Sequence, residues 1–389
     1  MPWGVQTPMS ARRDFIEDWL RGLYAMTELC ASYGISRRIG YKWVTRFEQG
    51  GLPGLEDRRR TPHTSPTRIS PDLATALLAA RRAHPTWGPR KLLPYLRRRH
   101  PTWPWPVAST VGALLKRHGL VATRRRRPDP GHPGRPTSPI AHPNAVWTAD
   151  FKGQFRLRSG DYCYPLTVVD AYSRYLLGCQ GLPTTAHPPT QAVFERLFRE
   201  YGLPERIRTD NGVPFATSAL ARLSQLSRWW ITLGILPELI EPGRPAQNGR
   251  HERMHRTLKA EAAKPARATF AAQQRRFGSF RREYNEERPH AALGDEPPAS
   301  VYVASPRPYP RTPPGIDYPS HFERRLVSRN GGIRWKSAWV NVSHVLAEDY
   351  VGLEEVADGV WAVYFGPVLL GRFDEHDGRI HGAHNRNKL

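Results

Sequence analysis

Cysteine is scarce: Cys30, Cys163 and Cys179 stand far apart with no CxxC pair among them. That pattern offers no disulfide framework and fits a reducing compartment, each thiol acting as a small packing residue. Long apolar runs are missing too. No stretch approaches the ~20 residues that span a bilayer, and no basic segment leads into an apolar signal core at the N-terminus. The expectation is a soluble intracellular protein with no membrane partner. Acidic residues are outnumbered, 35 against 58 basic ones, for a formal charge of +23. Such an excess opposes self-association and favours a polyanion, nucleic acid first. Lysine supplies only 8 of the 58. Arginine suits bidentate phosphate contacts, but GC-rich coding gives the same bias, so the charge carries the inference.

What is present divides unevenly. Residues 1–140 hold 25 Lys/Arg against 9 Asp/Glu, net +16, and the remainder nets +7, so the N-terminal third is the expected DNA-gripping part. At 389 residues the chain is long enough for two to four domains. Residues 14–48 predict helices, with a turn at Tyr33-Gly34-Ile35-Ser36 between Thr27–Ser32 and Arg37–Phe47. Ser36 is a plausible N-cap, Cys30 a small buried position, and Trp43 and Phe47 the inner face. That spacing is helix-turn-helix, over 10–57, and it turns Arg37, Arg38 and Lys42 outward, where a recognition helix meets DNA. A second basic helical domain, 70–123, begins at the Ser70-Pro71 cap, with helices at Asp72–His84, Pro89–Arg99 and Val107–His118. Arg90 and Lys91 on it join the DNA-facing candidates. A Pro/Gly linker, 124–143, opens with Arg124, Arg125, Arg126 and Arg127, able to track phosphates.

From Ala145 the texture turns to β-prone runs at Ala145–Leu157, Tyr162–Val169 and Arg174–Gln180, then a helix at Pro189–Tyr201, the mark of a sheet with helices over 144–303. Glu205–Thr209 and Ile235–Ile240 are weak strands, the latter containing Pro237, which argues against a central position. Helices are expected at Ser218–Thr232 and Asn248–Lys264, the second with an apolar stripe of Met254, Leu258 and Ala262. Residues 304–321 read as an extended Pro-rich linker. Short strands separated by Gly, Asn and Asp turns then suggest a small β-barrel over 322–382.

Three carboxylates stand out. Asp150 lies inside the apolar strand Ala145–Phe151, where an unpaired acid is costly and a metal would offset the cost. Asp210 follows a weak strand in Asp210-Asn211-Gly212, by itself an ordinary turn signal. Glu252 falls on the Asn248–Lys264 helix, on a side shared with His255, Arg256 and Lys259, where a Glu252–Arg256 surface pair is the plain alternative. His251-Glu252-Arg253-Met254-His255 also matches the HExxH zinc-protease string, but no third ligand is apparent and the high charge has no place in that reading.

The company these residues keep is more specific. The strings Val146–Lys152, Val169–Tyr175, Arg208–Gly212 and Pro242–Arg253, the last continued by Thr257-Leu258-Lys259, resemble the integrase core of bacterial insertion-sequence transposases. The resemblance extends upstream to Tyr33–Ser36 and Thr86–Lys91 and weakens beyond Ala304. It implies an RNase H-like fold with a mixed five-stranded sheet, between all-α helix-turn-helix modules and the β domain. It further implies Asp150, Asp210 and Glu252 as catalytic residues and metal ligands, for two Mg2+ or Mn2+ ions. Asp170 matches an acidic position that is not a ligand, and Arg256 and Lys259 would contact DNA beside the metals. The 41 residues between Asp210 and Glu252 exceed the usual family spacing, the excess being expected in a helical insert at Ala219–Leu236. No His-His-Cys-Cys module of the retroviral relatives is present, so the N-terminal part is expected to be metal-free. The function implied is transposition in the bacterial cytoplasm: binding of double-stranded element ends, nicking, and joining to target DNA by a homo-oligomer. A regulator with an inactive core and a zinc protease are the alternatives.

Overall fold

The computed structural model describes residues 7–58, 69–121, 138–241 and 245–382. Contacts divide the chain into two compact units, 1–68 and 69–389. The first contains α1 (Pro8–Arg21), α2 (Met26–Ser32) and α3 (Arg37–Gly50), closed by a 3-10 turn at Leu52–Leu55. Ser36 caps α3 by accepting from Ile39 N–H, and Gly34 makes the turn at φ +65°, a left-handed conformation that glycine adopts without strain. Phe15, Ile16, Leu29, Cys30, Trp43, Val44 and Leu55 form its core. The helices meet closely at Gly40, where an added Cβ would lie 2.5 Å from Cys30 Sγ.

The second unit begins with a bundle of α4 (Pro71–Ala83), α5 (Pro89–Arg99) and α6 (Ala108–Arg117). Ser70 caps α4 with Pro71 at its first position, as the sequence predicts. An α/β layer follows: β1 (Val146–Phe151), β2 (Phe155–Arg156), β3 (Tyr162–Asp170), β4 (Leu176–Leu182), α7 (His187–Tyr201), β5 (Arg206–Thr209), α8 (Gln225–Thr232), β6 (Leu236–Leu239), α9 (Gly249–Leu258) and α10 (Phe270–Arg282). Its sheet is mixed, in the order β2-β3-β1-β5-β6 with β4 also on β3. β1 runs antiparallel to β3 and parallel to β5, and β5 parallel to β6. Without the two-residue β2 this is the expected five-stranded arrangement. Pro237 is tolerated because β6 is an edge strand.

Alternation along the strands assigns the two faces. Trp147, Ala149, Leu166 and Val168 pack with Phe194, Phe198 and Trp230 of α7 and α8. On the other side Val169, Leu176 and Cys179 pack with Met254 and Leu258 of α9 and with Phe277 and Phe280 of α10. Thr148 and Thr167 alternate with the first set, and both meet His251 of α9.

Two expectations change. Residues 218–224 form no α-helix, only a distorted 3-10 turn at Leu220–Arg222: Ala221 and Arg222 take positive φ, 51° and 58°, which an α-helix cannot carry, and α8 starts only after the Ser224 cap. Their apolar groups go elsewhere, since Leu220, Leu223 and Ile231 join the core of the C-terminal β module, and Arg228 pairs with Asp349. The Pro-rich segment has no helix or strand through residues 304–318, but it is a strap rather than a free spacer. Ser305 N–H donates to Tyr201 O, Leu203 N–H to Arg307 O, and the Arg307 guanidinium to the carbonyls of Pro204, Leu233 and Gly234.

The C-terminal module comprises β7 (Glu323–Leu326), β8 (Gly332–Trp335), β9 (Ala338–Asn341), β10 (Tyr350–Ala357), β11 (Val360–Phe365), β12 (Val368–Asp374) and β13 (Arg379–Gly382). It is a five-stranded antiparallel sheet, β13-β12-β11-β10-β7, with the hairpin β8-β9 over one shared core, rather than one continuous barrel ladder. Among the described residues no helix is long and apolar enough to cross a membrane.

Close packing at Gly40 yields a test. Gly40→Ala should destabilise the protein by about 1–3 kcal/mol through overpacking, against the helix preference of alanine, and Cys30→Ala should recover part of the loss. Gly50→Ala, with nothing within 4 Å of its added Cβ, should be neutral or stabilising in the same chemical unfolding measurement.

Candidate active site

The three carboxylates arrive from separate segments: Asp150 on β1, Asp210 just beyond β5, and Glu252 in the first turn of α9. Parallel pairing of β1 with β5 brings the C-terminal ends of those strands to one edge. The Asp210 loop is tied down there, because Asp210 Oδ1 accepts from Gly212 N–H at 3.2 Å, and Asn211 Nδ2 donates to Ile240 O at 2.8 Å. Glu252 sits where a helix N-terminus favours negative charge.

Burial pushes the Asp150 carboxyl up to about 7, and the negative charges of Asp210 and Glu252 push the same way. The tightest group of potential ligands among the described residues is a different one: Asp150, His251 and His255, with ligand atoms within 4.8 Å of one another. Sequence reading placed His255 beside Glu252, Arg256 and Lys259. Instead His251 and His255 are buried with Met254 and Leu258, while Glu252, Arg256 and Lys259 are exposed. The i, i+4 spacing of the two histidines is the signal in the sequence, although in isolation it matches only a zinc string.

Both rings converge on Thr167, whose Oγ1 lies 2.7 Å from His251 Nε2 and 2.7 Å from His255 Nε2. It also donates to Asp150 O at 3.1 Å. His251 Nδ1 meets Thr148 Oγ1 at 2.9 Å, so both of its ring nitrogens are engaged and the HExxH pattern does not offer two open histidine ligands. Desolvation drives the His251 imidazole down to about 3 and His255 to about 2, leaving both neutral. Asp170 is structural in its contacts: it accepts from Asn144 N–H and from the N–H and O–H of Ser173, fixing the β3–β4 turn. Glu261 is held by Arg288 at 2.8 Å and by Thr86.

Arg37, Arg38 and Lys42 are exposed on α3, and Arg90 is exposed on α5. Lys91 instead donates to Pro289 O at 3.1 Å, and burial lowers its ammonium to about 8. It belongs to a joint between the α4–α6 bundle and the α/β layer. In that joint His84 meets Glu283 at 2.8 Å, and Arg98 donates to the carbonyls of Asp295 and Glu287. Arg124, Arg125, Arg126 and Arg127 lie outside the described residues.

In metal-free protein these shifts have opposite signs. Asp150 has its pKa raised, so folding takes up a proton between about pH 4 and 7, and its charge destabilises the fold above that window. His251 and His255 are lowered, so their contribution is complete above about 6.5 and is lost as pH falls toward 3. Asp150→Asn should therefore raise the melting temperature in chelator at pH 8, and the gain should vanish near pH 4. A gain equal at both pH values would contradict the assignment.

Integrase core domain models match residues 141–245 and 233–298. A helix-turn-helix domain matches 11–63 and a homeodomain-like domain 39–115. The insertion element IS407 uncharacterized 31.7 kDa protein of Burkholderia multivorans is 30% identical over 185 residues, 46% of this chain and 58% of that protein. The insertion element IS476 uncharacterized 39.2 kDa protein of Xanthomonas euvesicatoria is 28% identical over 289 residues, 73% of this chain and 79% of that protein. A Pol polyprotein of Feline endogenous virus ECE1 is 32% identical over 122 residues, 31% of this chain and 11% of the polyprotein. Among solved structures, the HTLV-2 integrase catalytic core domain in complex with magnesium aligns at 14% identity and TM-score 0.33, covering 42% of this chain and 98% of that one. The chain thus carries integrase core domain matches behind helix-turn-helix matches, and it is similar to bacterial insertion-element proteins.

Proposed function

We propose that this chain is an active DNA transposase that binds the terminal repeats of an insertion sequence, nicks the 3′ ends of the element and joins them to target DNA. One observation carries the reading: Asp150 is half-buried on β1, where burial first, then the charge of Asp210 and more weakly that of Glu252, push its carboxyl up to about 7. Uncompensated acids of this kind, with oxygen donors, fit a hard divalent cation. Asp150, Asp210 and Glu252 would hold two Mg2+ or Mn2+ ions, which when bound stabilise the attacking and leaving oxygens of a phosphodiester.

The remaining roles fall to side chains with open cationic groups. Arg37, Arg38 and Lys42 face element-end DNA from α3. Arg256, exposed on the Glu252 side of α9, and Lys259, exposed just beyond its end, meet phosphates next to the scissile bond, and Arg90 contacts flanking duplex. Arg124–Arg127 track the backbone on charge alone. Lys91 is assigned to the bundle joint because its ammonium is already engaged. Cutting and joining paired ends needs several subunits, so the working form is a homo-oligomer assembled on DNA in the bacterial cytoplasm.

Labelled element-end DNA incubated with purified protein and Mg2+ or Mn2+ tests this reading. Wild type should nick and join. Asp150→Asn, Asp210→Asn and Glu252→Gln should each lose both steps together by about 100-fold or more, beyond what residues one layer behind a metal ligand lose, with end binding intact. Asp170→Asn should act on stability first. Nicking without joining would make the protein a nuclease, and end binding with neither step would make it a regulator.

A further inference from the structure

The contacts around Thr167 fix where the protons of the two buried imidazoles lie. A threonine hydroxyl has one hydrogen, and a backbone carbonyl can only accept. Thr167 Oγ1 has three close partners: Asp150 O, His251 Nε2 and His255 Nε2. All three can be hydrogen bonds in one arrangement alone, with Thr167 donating to Asp150 O and both imidazoles donating Nε2–H to Thr167. His251 Nδ1 then accepts from the Thr148 hydroxyl at 2.9 Å, in preference to the longer 3.3 Å contact of that hydroxyl with Val169 O. His255 Nδ1 is left with a lone pair, and it faces Asp150 Oδ2 at 3.6 Å, beyond hydrogen-bond distance. Two electron-rich atoms thus oppose each other at the candidate centre, one on a ring that is 94% buried (relative exposure 6%). A cation placed between them satisfies both.

We propose that His255 Nδ1 is a nitrogen ligand to the divalent ion that Asp150 binds, so that the centre favours Mn2+ over Mg2+. The inference rests on the metal-binding reading given above. Mg2+ keeps to oxygen ligands in near-ideal octahedral sites, whereas affinity for nitrogen donors rises along the first-row transition metals. His251 and Thr167 act as positioning residues: the ring is held by its Nε2–H bond to Thr167, the device that commonly orients a ligating histidine.

Full-length protein carrying one equivalent of Mn2+ should show, in electron spin-echo envelope modulation, the 14N coupling of a directly bound imidazole. The signal should change on 15N-histidine labelling and disappear in His255→Asn. Titration of Mn2+ should show affinity falling about tenfold or more in His255→Asn, with a much smaller change for Mg2+. If Asp150→Asn weakens Mn2+ binding but the wild-type spectrum lacks histidine nitrogen, His255 is not a ligand and the carboxylate site stands. If Asp150→Asn binds Mn2+ as wild type does, the metal site itself fails. Should His255→Asn not fold, as its melting curve would reveal, the wild-type and 15N-labelled spectra still decide the question.

Discussion

An acid on an internal strand, with two further acids converging on it, is the constraint from which the α/β layer can be understood. Asp150 pairs with Thr167 of β3 on a strand that β5 flanks along its first half, and its carboxyl is largely removed from water. Among the described residues nothing fully neutralises it. Lys152 acts in the right direction but is outweighed by desolvation and by Asp210. Such a site is destabilising in isolation. The surroundings bear it because β1 also delivers Trp147 and Ala149 to a large apolar core on the opposite face. Strand alternation lets one element serve packing on one side and chemistry on the other.

That division extends to α9. Its inner face gives Met254 and Leu258 to the core and His251 and His255 to the strand threonines, while Glu252, Arg256 and Lys259 stay outside. The exposed cations flank an acid already at the helix N-terminus, an arrangement compatible with the proposed polyanionic substrate and bridging cations. Elsewhere in the second unit, residues that reach across modules serve assembly. Thr86 and Lys91 tie the α4–α6 bundle to the α/β layer, and Leu220, Leu223 and Arg228 tie the β module to it. The additional residues between Asp210 and Glu252 thereby acquire a physical reason, since part of that segment is the seat of the β module.

Much of this was legible in the sequence. Caps at Ser36 and Ser70, the apolar stripe of α9 and the strands flanking Asp150 follow from local patterns, and the structure has them where those patterns end. The failures share a cause, which is that partners distant in sequence decided the outcome. Residues 218–224 look helical in composition, yet they bend because Leu220 and Leu223 are drawn to a module more than a hundred residues later. The proline-rich strap reads as a spacer because its hydrogen bonds go to loop carbonyls that no periodicity marks. His255 was placed on the wet side of its helix because a histidine beside an arginine looks solvated. Only Thr167, on a different strand, shows that it turns inward.

The proposed function requires that Asp150, Asp210 and Glu252 act as one site rather than as three separate contributors. It is tested most directly by single-turnover cleavage of element-end DNA by Asp210→Asn, Glu252→Gln and the double variant, each checked for folding and end binding. Groups that work as a unit are grossly non-additive. A shared site predicts a double variant little slower than the slower single one, and losses that multiply would contradict it.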